Sequence, residues 1–118
     1  MTTNTDDCIF CRIARGEIPA RKLFEDDEFV AFHDISPKAP VHFLLVPKQH
    51  VTNLYDVDES HRELLGRMLA MTGELARREG ANDGFRVVVN NGRAGGQEVY
   101  HLHIHVLGGK ALGSGMPR

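Results

Sequence analysis

Tyr100-His101-Leu102-His103-Ile104-His105-Val106-Leu107 alternates polar and apolar residues without a break and ends on the pair Gly108-Gly109. As a strand, it carries His101, His103 and His105 on one face and Leu102, Ile104 and Val106 on the other. As a helix, it would turn His103 away from its two neighbours, and the run is short for a helix that must stop at a Gly pair. The strand therefore presents a row of imidazoles about 13 Å long, with roughly 6.6 Å between neighbours at the backbone. Adjacent rings can meet at that spacing, whereas three on one metal ion would need distortion. Neutral imidazole is a nucleophile and a proton carrier near pH 7, so such a row can divide the labour of attack and leaving-group protonation.

Immediately upstream, Asn90-Asn91-Gly92-Arg93-Ala94-Gly95-Gly96-Gln97 is a Gly-rich loop. It brings backbone N–H groups, amide side chains and an Arg beside the histidines, a composition that suits phosphate. No Gly-Lys-Ser/Thr follows, so it is not a Walker loop. Residues 84–90 form a fourth strand ahead of the loop, and 99–107 a fifth after it. Val41–Pro47 is a third, bounded by prolines, while Lys22–Glu25 and Phe29–Asp34 make a hairpin across the acidic turn Asp26-Asp27-Glu28. Ser60-His61-Arg62-Glu63 fits a capping box, and Leu65, Met68, Leu69, Thr72, Leu75 and Ala76 follow at helical spacing until Gly80. A short helix runs from an Asp7 cap to about Arg15.

Hairpins with a single long helix, rather than a regular β-α alternation, imply an α+β domain: a five-stranded antiparallel sheet with one long and one short helix. The domain spans residues 7–109, with 1–6 and 110–118 as loose ends. A core this small gains from burying apolar surface against a second copy, so a homodimer is expected.

The 118 residues carry 14 Lys and Arg against 16 Asp and Glu, a net charge of −2, with 42% hydrophobic residues, seven His and two Cys. That balance argues against a surface that grips polymeric nucleic acid or an anionic membrane, but not against one nucleotide. No run approaches the roughly 20 apolar residues of a membrane span, and the polar first residues do not form a secretory signal. A cytoplasmic location follows as the expectation.

The run His101-Leu-His-Ile-His105-Val-Leu resembles the signature of the histidine triad (HIT) superfamily. Phe32-His-Asp-Ile-Ser-Pro-Lys-Ala-Pro-Val-His-Phe43, Val46-Pro-Lys-Gln-His50 and Gly95-Gly-Gln-Glu-Val-Tyr-His101 resemble its Hint branch. The resemblance implies a HIT-like fold and a homodimeric purine nucleoside phosphoramidase. Such an enzyme cleaves adenosine 5′-monophosphoramidate or lysyl-AMP-type substrates through a nucleotidyl-histidine intermediate. Carried onto matching positions, His103 is the nucleophile, His105 contacts the phosphate and helps protonate the departing amine, the His101 carbonyl orients the His103 ring, and His42 completes the network. Asn90, Gly96 and Gln97 match the phosphate side, Asp34 the acid that holds the ribose, and Ile9, Phe10, Ile13, Phe32, His33 and Ile35 the base pocket.

Glu98, counted with the nucleotide-binding positions, stands where many animal members have a hydroxyl residue, and the tail lacks their Trp. Superfamily nucleotidyltransferases or phosphorylases replace the third His with Gln, so His105 argues against that alternative. A nucleotide-binding regulatory module with vestigial hydrolysis is the other competing class. No organic cofactor is implied.

Cys8-Ile9-Phe10-Cys11 opens the domain with no strand before it, which disfavours a thioredoxin-like dithiol and favours zinc. Zinc-bearing relatives in the superfamily use such a pair with a His after the third strand and the first His of the triad. Those positions map to Cys8, Cys11, His50 and His101, a closed structural site. His61 is left on a solvated helix end.

Overall fold

The structure is a computed structural model that describes residues 7–116. The loose tail expected over 1–6, and residues 117–118 of the C-terminal one, lie outside the described residues. Asp26 turns the first hairpin: its Oδ1 accepts from the backbone N–H of Glu28 (2.8 Å) and of Phe29 (2.7 Å). That turn joins β1 (Lys22–Glu25) to β2 (Phe29–His33). β2 pairs with β3 (Val41–Pro47), and β3 with β5 (Ile104–Gly108), whose other edge takes β4 (Phe85–Val88). All pairings are antiparallel in the order β1-β2-β3-β5-β4, the five-stranded α+β sheet expected from the sequence.

β3 lies at the centre and is buried along its whole length. Strand alternation sends Val41, Phe43 and Leu45 to one face, where they meet Met68, Leu75 and Ala76 of the long helix α2 (Arg62–Arg78). Leu44 and Val46 go to the other face, joining Val30, Phe32, Phe10 and Ile13 under the short helix α1 (Ile9–Ala14). His42 shares that second parity, so the same alternation that builds two cores delivers an imidazole to the α1 face. No described helix is long and apolar enough to cross a membrane.

Several element ends differ from the sequence expectation, β4 being shorter (Phe85–Val88 rather than 84–90), and three of the differences have a local cause. Cys8, not Asp7, is the N-cap of α1, with its Sγ accepting from Cys11 N–H at 3.3 Å. The capping box forms two residues earlier than Ser60-Glu63. Asp58 is the cap of a 3-10 turn (Glu59–His61), and His61 Nδ1 accepts from Asp58 N–H at 3.1 Å. His61 is thus a capping residue rather than an idle one. β5 starts at Ile104 instead of Val99, because β3 has run to Pro47, which offers no N–H, and the chain finds other partners. Leu102 N–H donates to Val51 O at 2.6 Å and the His101 ring meets Pro47 O at 2.7 Å. The side-chain alternation continues through this segment all the same, with Leu102 and Ile104 in the α2-side core.

Candidate active site

His103 lies buried beneath α1, its ring edge-on to Phe10 with centroids 5.1 Å apart. Its Nδ1 is 2.7 Å from the carbonyl oxygen of His101. A carbonyl only accepts, so Nδ1 carries the proton and Nε2 is left with a bare lone pair. The neighbouring His105 receives the opposite arrangement through a chain of bonds. The backbone N–H of Lys38 donates to His42 Nδ1 at 3.0 Å, which forces the His42 proton onto Nε2. That Nε2 lies 3.0 Å from His105 Nδ1 and donates to it, so the His105 proton sits on its Nε2. The rings of His103 and His105 are 5.0 Å apart by centroid. A bare nitrogen and a protonated one therefore stand side by side.

Burial keeps these rings neutral. His105 falls to about 4, first from burial, then from the neighbouring His103 and His42, with Asp34 pulling the other way. Burial also lowers His42 against the pull of Asp34, and lowers His103 against its bond to His101 and the charges of Asp34 and Glu98. Asp34 Oδ2 lies 3.5 Å from His42 Nε2, while its Oδ1 accepts from Ser36 N–H at 2.8 Å. Asp34, His42 and His105 also bring three donor atoms together. A metal there would need a bare His42 Nε2, which the Lys38 N–H on the opposite nitrogen opposes.

The Gly-rich loop is closed from inside. Gln97, expected at the phosphate, is buried, and its amide is fully occupied. Its Oε1 accepts from Asn53 Nδ2 (3.0 Å) and Gly92 N–H (2.9 Å), and its Nε2 donates to Thr52 O (2.8 Å) and Val99 O (3.1 Å). No hydrogen-bonding capacity remains for a ligand, so this side chain holds the loop's shape. Gly95 is required there, since a Cβ would stand 2.3 Å from Asn91 O. Asn90 and Gly96 flank the loop, and among the described residues the Asn90 side chain has no hydrogen-bond partner.

The expected base-pocket residues divide. Phe10, Ile13 and Phe32 are buried together, Phe10 packing edge-on to Phe32 at 5.4 Å. Ile9 and Ile35 are exposed at the rim, Ile35 at 99%. His33 does not join them. It follows Phe29 and Ala31 in strand parity and points to the α2 face, where its Nε2 lies 3.6 Å from Glu79 Oε1.

Beyond His103, the His101 ring faces a different set. Its Nδ1 is 3.2 Å from Cys8 Sγ and 3.4 Å from Cys11 Sγ, and His50 Nδ1 is 3.2 Å from Cys11 Sγ. All four donor atoms lie within 4.8 Å of one another. A tetrahedral zinc site has sulfur–nitrogen edges of about 3.5 Å, so the residues fit the metal. The tautomer fits as well: His101 Nε2 donates to Pro47 O, leaving Nδ1 bare as a ligand must be. Burial, then the Cys8 thiol, push Cys11 up to about 12 without a cation, the state that metal binding reverses. His50 Nε2 is buried without a hydrogen-bond partner among the described residues.

The HIT domain family pattern matches residues 15–112. This chain belongs to the HIT family. Purine nucleoside phosphoramidase of Escherichia coli K12 is 46% identical over 109 residues, 92% of each chain. Among solved structures, a HIT family hydrolase from Legionella pneumophila is 48% identical, with a TM-score of 0.87 over 90% of this chain and 96% of that one. A Zn-bound histidine triad family protein from Mycobacterium smegmatis is 30% identical, with a TM-score of 0.78 over 97% of this chain and 82% of that one.

Two parts of this HIT site have no side-chain signature in the sequence: Lys38 acts through its N–H and Pro47 through its carbonyl. Asn53, the buried partner of Gln97, could be found only from its burial, because no spacing relates the two.

Proposed function

We propose that this HIT-family protein is a cytoplasmic hydrolase of purine nucleoside phosphoramidates that forms a nucleotidyl-histidine intermediate. The observation that carries the reading is the opposed pair of tautomers, a bare His103 Nε2 beside a His105 Nε2 that bears a proton. The name of the 46% identical relative supports the P–N bond as the one cleaved. His103 Nε2 attacks phosphorus as the P–N bond breaks, and the departing nitrogen leaves with the electron pair. It takes a proton from the His42–His105 pair, which gains that proton when the anionic substrate binds and offsets the cost of a buried charge. The His103 ring becomes cationic, and its Nδ1–H remains on the His101 carbonyl, whose dipole stabilises the charge. Water then attacks phosphorus, His103 leaves as a neutral ring, and the water's proton returns to the pair.

Asn90 and the backbone N–H groups of the loop would meet the phosphoryl oxygens, and Asp34 the ribose hydroxyls. Zinc on Cys8, Cys11, His50 and His101 would supply a closed cross-link between α1 and the histidine segment, with no role in bond cleavage. A homodimer is supported by apolar side chains left exposed on α2 (Leu69) and on the edge strand β4 (Phe85). The test is amine release from an adenosine 5′-phosphoramidate by the wild type and by His103→Ala. The variant should lose at least about a thousandfold in rate. Equal rates would defeat the assignment.

A further inference from the structure

Among the described residues, two groups of donor atoms lie close enough together to share a cation, and main-chain groups of opposite polarity set them apart. In the first, Pro47 O accepts from His101 Nε2 at 2.7 Å, which leaves His101 Nδ1 bare toward Cys8 and Cys11. In the second, formed by Asp34, His42 and His105, Lys38 N–H donates to His42 Nδ1 at 3.0 Å and leaves the ring proton on Nε2, between the two imidazoles. A carbonyl makes one histidine a ligand, and an amide N–H withholds another.

Apart from that proton, the second group has the dimensions of a cation site. His42 Nε2 lies 3.0 Å from His105 Nδ1 and 3.5 Å from Asp34 Oδ2. Nitrogen and oxygen ligands about 2.0–2.1 Å from zinc span tetrahedral edges of roughly 3.3–3.4 Å, and a set of three leaves a fourth position open. His42 is buried, and Asp34 and His105 are half-buried. To admit an ion, the His42 ring must either give up its proton and become an imidazolate or move the proton to Nδ1, where it meets Lys38 N–H head-on. Both routes are costly. We infer that Asp34, His42 and His105 form a latent divalent-cation site, and that the main-chain N–H of Lys38 keeps it shut. An ion drawn to the cysteine group is thereby kept off the His42–His105 pair. The binding inference stands on geometry alone, whereas the loss of hydrolysis on metal binding rests on the phosphoramidase reading.

The test is equilibrium dialysis against Zn²⁺ alone, with the metal counted per chain in three proteins: the wild type, Lys38→Ala, which keeps the N–H, and Lys38→Pro, which lacks it. The Lys38 side chain is exposed, so the first substitution disturbs no core. Comparing the proteins with one another cancels any zinc on the cysteine group. Lys38→Pro should take up about one more Zn²⁺ per chain than the other two, at least about tenfold more tightly than any second ion in them. Adding His42→Ala should abolish that uptake. If Lys38→Pro melts below the wild type, an α-hydroxy acid at position 38 removes the same N–H as a main-chain ester and takes its place. Equal zinc uptake with and without the N–H, at one ion or at two, overturns the inference. Zn²⁺ should also inhibit adenosine 5′-phosphoramidate hydrolysis by the protein lacking the N–H and spare the wild type. If neither protein hydrolyses that substrate, the phosphoramidase reading falls while the zinc count still decides the inference.

Discussion

The carbonyl of His101 holds His103 Nδ1 at 2.7 Å, while the ring of the same His101 faces Cys8 and Cys11. One residue thus joins the metal-ligand group to the nucleophile candidate, by its side chain on one hand and its backbone on the other. Whatever holds the His101 ring also holds the carbonyl that sets the His103 tautomer.

Metal removal should therefore act on stability first and on the His103 ring second. Protein purified without added zinc should contain about one Zn per chain, and chelation should lower the melting temperature. In the metal-free protein, nitrogen NMR of His103 should show a mixture of tautomers in place of one. A metal-free preparation with an unchanged melting temperature would contradict the site.

His42 is expected to do two separable things: fix the His105 tautomer and share its proton. His42→Gln can still donate a hydrogen bond to His105 Nδ1 but cannot exchange a proton, whereas His42→Ala can do neither. Single-turnover amine release should fall roughly tenfold for the Gln variant and further for Ala. Identical losses in the two would show that only proton sharing matters.

Gln97→Leu should be a stability variant before it is a binding variant. It leaves Asn53 Nδ2, Gly92 N–H, Thr52 O and Val99 O without their partner. Urea denaturation should register a loss of about 2–4 kcal/mol, since such groups go unpaired in a partly buried loop. A loss of nucleotide affinity at unchanged stability would instead return Gln97 to the phosphate.

Acid should destabilise the fold over a defined window. Burial lowers His105 to about 4 in the folded state, and His42 shifts in the same direction. An unfolded chain takes up these protons near the ordinary value of about 6.5, so it binds more protons than the native state between the two values. Stability is then full above about 6.5, declines as the pH falls toward 4, and levels off below, where both states are protonated. Denaturation midpoints across that range, compared with those of His105→Gln, should show a shallower slope in the variant.

Much of the architecture was legible in the residues alone. The alternation from Tyr100 to Leu107 identified which side chains share a face, and it survives even where the ladder fails and β5 begins only at Ile104. The spacing of Cys8-x-x-Cys11 pointed to a metal, while His50 and His101 were named as its partners only through the family resemblance, and the fold brings the four into one donor group. Periodicity and motif spacing are local properties of the chain, which is why they read directly. What only the tertiary structure decided are the proton positions and the loyalties of polar groups. Lys38 N–H sets His42, Pro47 O sets His101, Glu79 stands by His33 on the far face, and Asn53 closes on Gln97. The Lys38–His42 bond closes within one loop, but the other three join residues 44 to 54 apart in the chain, and a contact under 4 Å at such separations is a property of the assembled sheet rather than of any segment of it.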